Sequence, residues 1–190
     1  MPPASMSRAE IVAILTEVFR RLGYDGASMA EISEATGLGR SSLYHWFSGG
    51  KQEMAAAALE ALVERLAGDL AAAVEDDAPV QERLDRVLAV LDRLYDGGRA
   101  ACLLERLCAS AAREPLRPAL RGAFDAWVGV MARLQRDAGA DARTAEHRAE
   151  DAVARIEGAL VLCAARGDTG PFRRVLDDLG RTFLPAGALP

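Results

Sequence analysis

The stretch "GLGRSSLYHWFSGGK", Gly37 to Lys51, gathers side chains whose chemistry suits the edges and phosphates of a nucleic acid. Arg40, Ser41 and Ser42 come first, Tyr44 and His45 follow, and Lys51, the only lysine in the chain, closes it. An arginine can donate two bonds to guanine O6 and N7, and a serine hydroxyl can serve either kind of base. Tyr44 and His45 carry donors suited to phosphate oxygens. Lys51 stands where a further helix begins, so backbone N–H groups and the positive end of the helix dipole would share an anion with it.

Such donors act together only if short, well-stopped elements hold them on one surface. Ile11, Ile14, Leu15, Val18, Phe19 and Leu22 recur at helical spacing, which predicts a first helix over 7–22 that ends at Gly23. "SMAE" from Ser28 has the form of a capping box, with Glu31 reaching back to the cap, and opens a short helix whose inner stripe is Met29, Ile32 and Ala35. "TGLG" stops it, and a third short helix follows from Arg40 to Phe47. Two short helices joined by a glycine turn and backed by a longer one are the plan of a helix-turn-helix, here about 28–47, which enters the major groove with the first residues of its second helix. Leu43 and Phe47, four apart, face inward, and Trp46 is expected to pack with them.

The remainder predicts about six longer helices: 51–74, 80–95, 99–112 (ending before Pro115 and Pro118), 119–138, 142–165, and one from about Pro171. The composition agrees, being 51% hydrophobic yet only 5% aromatic, because alanine and leucine lose little side-chain entropy in a helix. The expected class is therefore all-α. Residues 7–52 form a DNA-binding domain and 53–185 a larger helical domain. The helix over 142–165 is apolar on all sides near its end and the last helix carries one continuous stripe, so these two are expected to pair with a second copy of the chain.

Other classes of function fit poorly. The two histidines, His45 and His147, have no glutamate three positions before them, as a helical di-metal carboxylate site requires, and no G-x-S-x-G elbow occurs. Neither catalysis, nor a metal, nor a cofactor is expected. Cys102, Cys108 and Cys163 are odd in number and lack paired spacing, which suits a reduced cytoplasmic protein with thiols in its core. The longest clearly uncharged apolar stretch, Gly158 to Ala165, is far shorter than the roughly 20 residues a spanning helix needs. The opening "MPPASMSRAE" has no apolar signal region, and Met6 makes the first five residues read as a tail. Residues 1–52 balance Arg8, Arg20, Arg21, Arg40 and Lys51 against Glu10, Glu17, Asp25, Glu31 and Glu34, so the chain's formal charge of −5 falls on the rest. Binding to DNA would then rest on geometry more than on bulk charge.

"FRRLGYDGASMAEISEATGLGRSSLYHWFSGGKQEM" resembles the N-terminal domain of the TetR family of bacterial transcriptional regulators, a likeness that spans about Ala9 to Leu59. The family's commoner form has one residue fewer between phenylalanine and lysine. The "SGGK" spelling is similar to a subgroup that includes multidrug- and antibiotic-responsive repressors. The resemblance implies that Ser28, Tyr44, His45 and Lys51 hold the backbone of a double-stranded operator while Arg40, Ser41 and Ser42 lie nearest the bases. By its own residues Ser28 reads equally as a cap alone, and His45 as a surface imidazole. The resemblance further implies a homodimer through the last two long helices, with recognition helices spaced for successive major grooves of a palindrome. It also implies a small-molecule effector among the middle helices, whose binding shifts the population off DNA, the helix from Lys51 acting as lever. Candidate pocket residues are Leu103, Glu105, Arg106, Phe124, Trp127, Met131 and Cys163, each of which also reads as ordinary packing or a solvated charge. Trp127 stands out, since a large aromatic in an aromatic-poor domain suits an apolar effector. The rivals within the same fold are a regulator with no effector and a thiol switch at Cys102 or Cys108.

Overall fold

The computed structural model describes residues 6–185, so the tail read before Met6 lies outside the described residues. Among them are nine α-helices, one 3₁₀ turn and no strand. The helices are α1 (Arg8–Gly26), α2 (Met29–Thr36), α3 (Arg40–Trp46), α4 (Gly50–Val74), α5 (Val80–Leu94), α6 (Leu103–Cys108), α7 (Arg113–Asp137), α8 (Ala142–Arg166) and α9 (Gly170–Thr182).

Local sequence explains most of these ends. α1 and α2 each open on a full capping box, Ser7 with Glu10 and Ser28 with Glu31. Within α1 the backbone leaves helical geometry at Gly23, which is where the sequence predicts the first helix to end. α2 stops at Gly37, whose φ of 67° is a left-handed conformation that glycine adopts without a Cβ penalty. Asp141 caps α8 by accepting from the amides of Arg143 and Thr144.

Two expected boundaries differ. α6 covers only Leu103–Cys108, because the backbone before it turns through positive φ at Asp96, Gly97 and Gly98 and stays non-helical to Cys102. Conversely α7 starts at Arg113, ahead of both prolines. Pro115 falls in the first turn, where an amide hydrogen has no intrahelical partner, and Pro118 forgoes only the bond to the carbonyl of Glu114, an exposed residue. On α2 the buried stripe is Ile32 and Thr36, with Ala35 exposed; the Thr36 hydroxyl donates to the Ile32 carbonyl at 2.7 Å.

The chain divides into two compact units. One holds residues 6–64 and 103–121, the other 65–102 and 122–185. In the first, Ile11, Leu15, Phe19, Ile32, Leu43, Phe47 and Met54 are fully buried, and α6, whose Leu103, Leu104 and Leu107 are buried too, packs along α1. Asp25 accepts from the Ala111 amide at 3.2 Å and so ties the end of α1 to the turn before α7. At about 1.5–3 kcal/mol for each buried Leu, Ile or Phe side chain, this small core holds three short elements that could not stand alone. In the second unit Leu70, Leu84, Leu91, Trp127, Met131 and Phe172 are the centre, α9 lies against α8 and α5, and Arg83 pairs with Asp137 at 2.7 Å.

Candidate nucleic-acid interface

α3 is only seven residues long, and its rotation decides what each side chain does. Leu43 and Phe47 are fully buried and set the inward direction. With roughly 100° per residue, Tyr44 and Trp46 fall on the two shoulders of that face, while Ser41 and His45 point directly away. Arg40 shares the Tyr44 shoulder and Ser42 the Trp46 shoulder. Burial agrees: Arg40, Ser41, Ser42 and His45 are exposed, Tyr44 is 49% exposed and Trp46 38%. The expectation that Trp46 packs inside is therefore corrected. Its indole lies at the surface, edge-on to His45 with ring centroids 6.2 Å apart, because so short a helix has no second buried face.

Tyr44 leans on the start of α4. Gly50 has φ 66°, and a Cβ there would lie 3.3 Å from the tyrosine ring, so the bare glycine makes room for it. Two amides at this helix start are already used: Gly49 donates to Glu53 Oε2 at 2.7 Å and Gly50 to the Phe47 carbonyl at 2.9 Å. Lys51 is half-buried. Its Nζ donates to the backbone carbonyl of Tyr24 at 2.9 Å and sits 4.4 Å from the centre of the Tyr24 ring. Ser28 acts as the cap of α2: its Oγ accepts from the Glu31 amide at 3.2 Å, and its own amide donates to Glu31 Oε2 at 2.8 Å. The Ser28 amide, and after it the Ser28 hydroxyl, hold the Glu31 carboxyl below its ordinary value.

Arg40, Ser41, Ser42, Tyr44, His45, Ser28 and Lys51 thus all belong to the first unit. Sequence reasoning missed Tyr24 beside Lys51; its signal was the "GYD" turn that ends the first helix.

The pocket candidates divide between the units. Leu103, Glu105 and Arg106 lie in the first, where Leu103 is buried and Arg106 Nε stands 4.0 Å from Glu105. Phe124, Trp127, Met131 and Cys163 lie in the second. There Trp127 is 1% exposed, stacks on Phe124 at 6.5 Å and meets Tyr95 at 6.4 Å, and Tyr95 packs edge-on against Phe172 at 5.7 Å. The Trp127 Nε1–H is buried with no acceptor among the described residues. Tyr95 and Phe172 were not expected in this cluster; both come from helix ends distant in sequence. A separate open groove of about 920 Å³ runs between α5, the 3₁₀ turn and α9, and none of the seven candidates lines it.

Among the described residues no cluster of His, Cys, Asp and Glu could hold a metal, and no helix is long and apolar enough to cross a membrane.

Two short helices, α2 and α3, joined by a glycine turn and backed by α1, have the arrangement of a helix-turn-helix. Residues 11–58 match the family described as bacterial regulatory proteins, tetR family, and 95–178 match the LmrA/YxaF-like transcriptional regulator C-terminal domain. The chain belongs to the TetR family of DNA-binding transcriptional regulators. It is 26% identical to the HTH-type transcriptional regulator LmrA of Bacillus subtilis over 174 residues, 89% of this chain and 92% of that one. A TetR transcriptional regulator of Legionella pneumophila shares the fold with a TM-score of 0.84 at 17% identity, over 94% of this chain and 98% of its own. CifR, solved with a 26-bp double-stranded operator, matches with a TM-score of 0.75 at 20% identity, over 95% of this chain and 98% of its own. These relatives regulate transcription and are not enzymes.

Proposed function

We propose that the protein is a homodimeric repressor that leaves a palindromic operator when a small, largely apolar effector binds. The observation that carries this reading is the exposure of Arg40, Ser41 and Ser42 at the start of α3, directly opposite or beside a buried Leu43–Phe47 pair. That geometry lets the helix enter a major groove tip first, with Arg40 on guanine and the serines beside it. Tyr44, His45 and Lys51 hold phosphates on either side, and Ser28 does so in addition to its capping role. CifR's complex with operator DNA, on the same fold, supports the same partner here.

Dimerisation is supported by the outer face of α8. Val161 and Leu162 are 50% and 45% exposed, and nothing lies within 4 Å of where a Cβ on Gly158 would stand. One exposed apolar strip of this kind on a two-fold axis covers itself. The effector reading is supported by the Trp127 cluster, an aromatic wall with one buried donor left over. Of the two candidates for a thiol switch, Cys102 is buried, which favours packing, while Cys108 is half-buried and keeps that rival open to test.

The test is selection of bound duplexes from a randomised pool, followed by a screen of apolar compounds for release. A palindromic consensus with steeply salt-dependent affinity is expected. Equal binding to all duplexes at low salt would refute the operator reading, and a failure of every compound to release the DNA would remove the effector.

A further inference from the structure

We infer that Tyr24 is a positioning residue for DNA binding: its ring and backbone carbonyl hold the Lys51 ammonium ready for a phosphate. The inference rests on the reading of Lys51 as a backbone contact.

Lys51 and Tyr24 are 27 positions apart and meet only because α1 and the start of α4 come together in the first unit. Tyr24 follows the break in α1 at Gly23, so its carbonyl is among those a helix end leaves without an intrahelical donor. The Lys51 ammonium takes that carbonyl at 2.9 Å and lies over the ring at 4.4 Å. The ring is itself held, stacked on the buried Phe19 with centroids 6.1 Å apart and planes 21° from parallel. A rigid chain of contacts therefore runs from the core of the unit to the ammonium.

Two consequences follow from the chemistry of an ammonium. It has three N–H donors and no acceptor. The carbonyl takes one and the ring face attracts the charge, which leaves donor capacity for a phosphate oxygen. Among the described residues no carboxylate lies within ion-pair distance of Lys51, so its charge is not cancelled before DNA arrives. In addition, a lysine loses the freedom of a long, flexible stem when it grips a ligand. Tyr24 imposes most of that loss during folding, so less of it opposes binding.

The chain offers an unusually clean measurement, because Lys51 is its only lysine. Lysine labelled with ¹³C and ¹⁵N gives a single ε-methylene signal. Full-length wild type, Tyr24→Phe, Tyr24→Leu, Lys51→Ala and the Tyr24→Leu/Lys51→Ala double variant are compared. The probe is the best-bound duplex recovered from a randomised pool, with its scrambled counterpart, over a range of salt. In wild type and Tyr24→Phe the ε-methylene protons should lie upfield through the ring current, and in Tyr24→Leu they should return to the ordinary lysine position. Tyr24→Leu should weaken binding to both duplexes by about twofold to tenfold, as returning the ordering of one long side chain to the binding step implies. Tyr24→Phe should bind as wild type, and the double variant no more weakly than Lys51→Ala. An unshifted lysine signal in the folded wild type would overturn the inference, a test that stands even where Tyr24→Leu fails to fold. So would wild-type or tighter binding by Tyr24→Leu, or additive losses in the double variant. Failure of the underlying reading has its own signature, a salt slope that Lys51→Ala leaves unchanged instead of lowering by about one unit.

Discussion

Replacing Val161 and Leu162 together by aspartate should separate the proposed dimer without unfolding the protomer. Both side chains stand half out of the protein, 50% and 45% exposed, on the outer face of α8. Complete burial of a valine or leucine side chain contributes about 1.5–3 kcal/mol, so covering the exposed half of each contributes about 1 kcal/mol. In a two-fold interface each residue counts twice, which makes about 4 kcal/mol for the pair of positions. At about 1.4 kcal/mol per decade the dimer constant should weaken by roughly a thousandfold from lost apolar burial alone. Burying unpaired carboxylates close to their two-fold mates adds to that. The folded protomer should tolerate the change, since the substituted side chains replace exposed ones and helix propensity alters by only about 0.5 kcal/mol per site. Sedimentation from nanomolar to micromolar protein measures the effect: wild type should run at about twice 20.2 kDa and the variant at the single-chain mass. Affinity for a palindromic duplex should fall with it, because one protomer reads one half-site. A dimer constant within tenfold of wild type, with unchanged melting, would refute this placement of the interface. A wild type that is itself monomeric would refute the dimer.

Arg40→Ala should relax base preference at one position of each half-site, by roughly the 1–3 kcal/mol that a bidentate arginine–guanine contact discriminates. Repeating the duplex selection with the variant checks this, and a uniform loss across all duplexes would move Arg40 to the phosphates. Acid should loosen the N-terminal helices. Glu10 is held below its ordinary value of 4.5 by the Ser7 hydroxyl first and the Ser7 amide second, and Glu31 by the Ser28 amide first. A carboxyl with a lowered folded-state pKa favours folding when ionised, so this contribution is complete above pH 4.5 and drains away as pH falls through the lowered folded values. Thermal melts followed by circular dichroism between pH 6 and pH 3 should show falling stability, less steeply in Glu31→Gln. Rising stability in acid would contradict the capping geometry.

Much of the DNA-binding unit was legible in consecutive letters, for a physical reason. Capping boxes, helix stops and helical faces are made by residues three or four positions apart, so "SMAE", "TGLG" and the Leu43–Phe47 pair carry their own geometry. The same locality misled where a local rule had an unforeseen context. Pro115 and Pro118 read as stops because prolines break helices, yet a helix beginning just before them loses little. Trp46 read as core because it is large and apolar, yet a seven-residue helix buries one narrow face and the indole falls outside it.

By itself, then, the sequence determined an all-helical chain with an N-terminal helix-turn-helix and the caps and stops that bound its short helices. Only the tertiary structure decided that Lys51 rests on Tyr24, that 103–121 belongs with the N-terminal helices, and that Tyr95, Phe124, Trp127 and Phe172 converge. Those pairings join residues tens of positions apart. They depend on how whole helices pack, which is set by the sum of many buried side chains and is not written in any short run of residues.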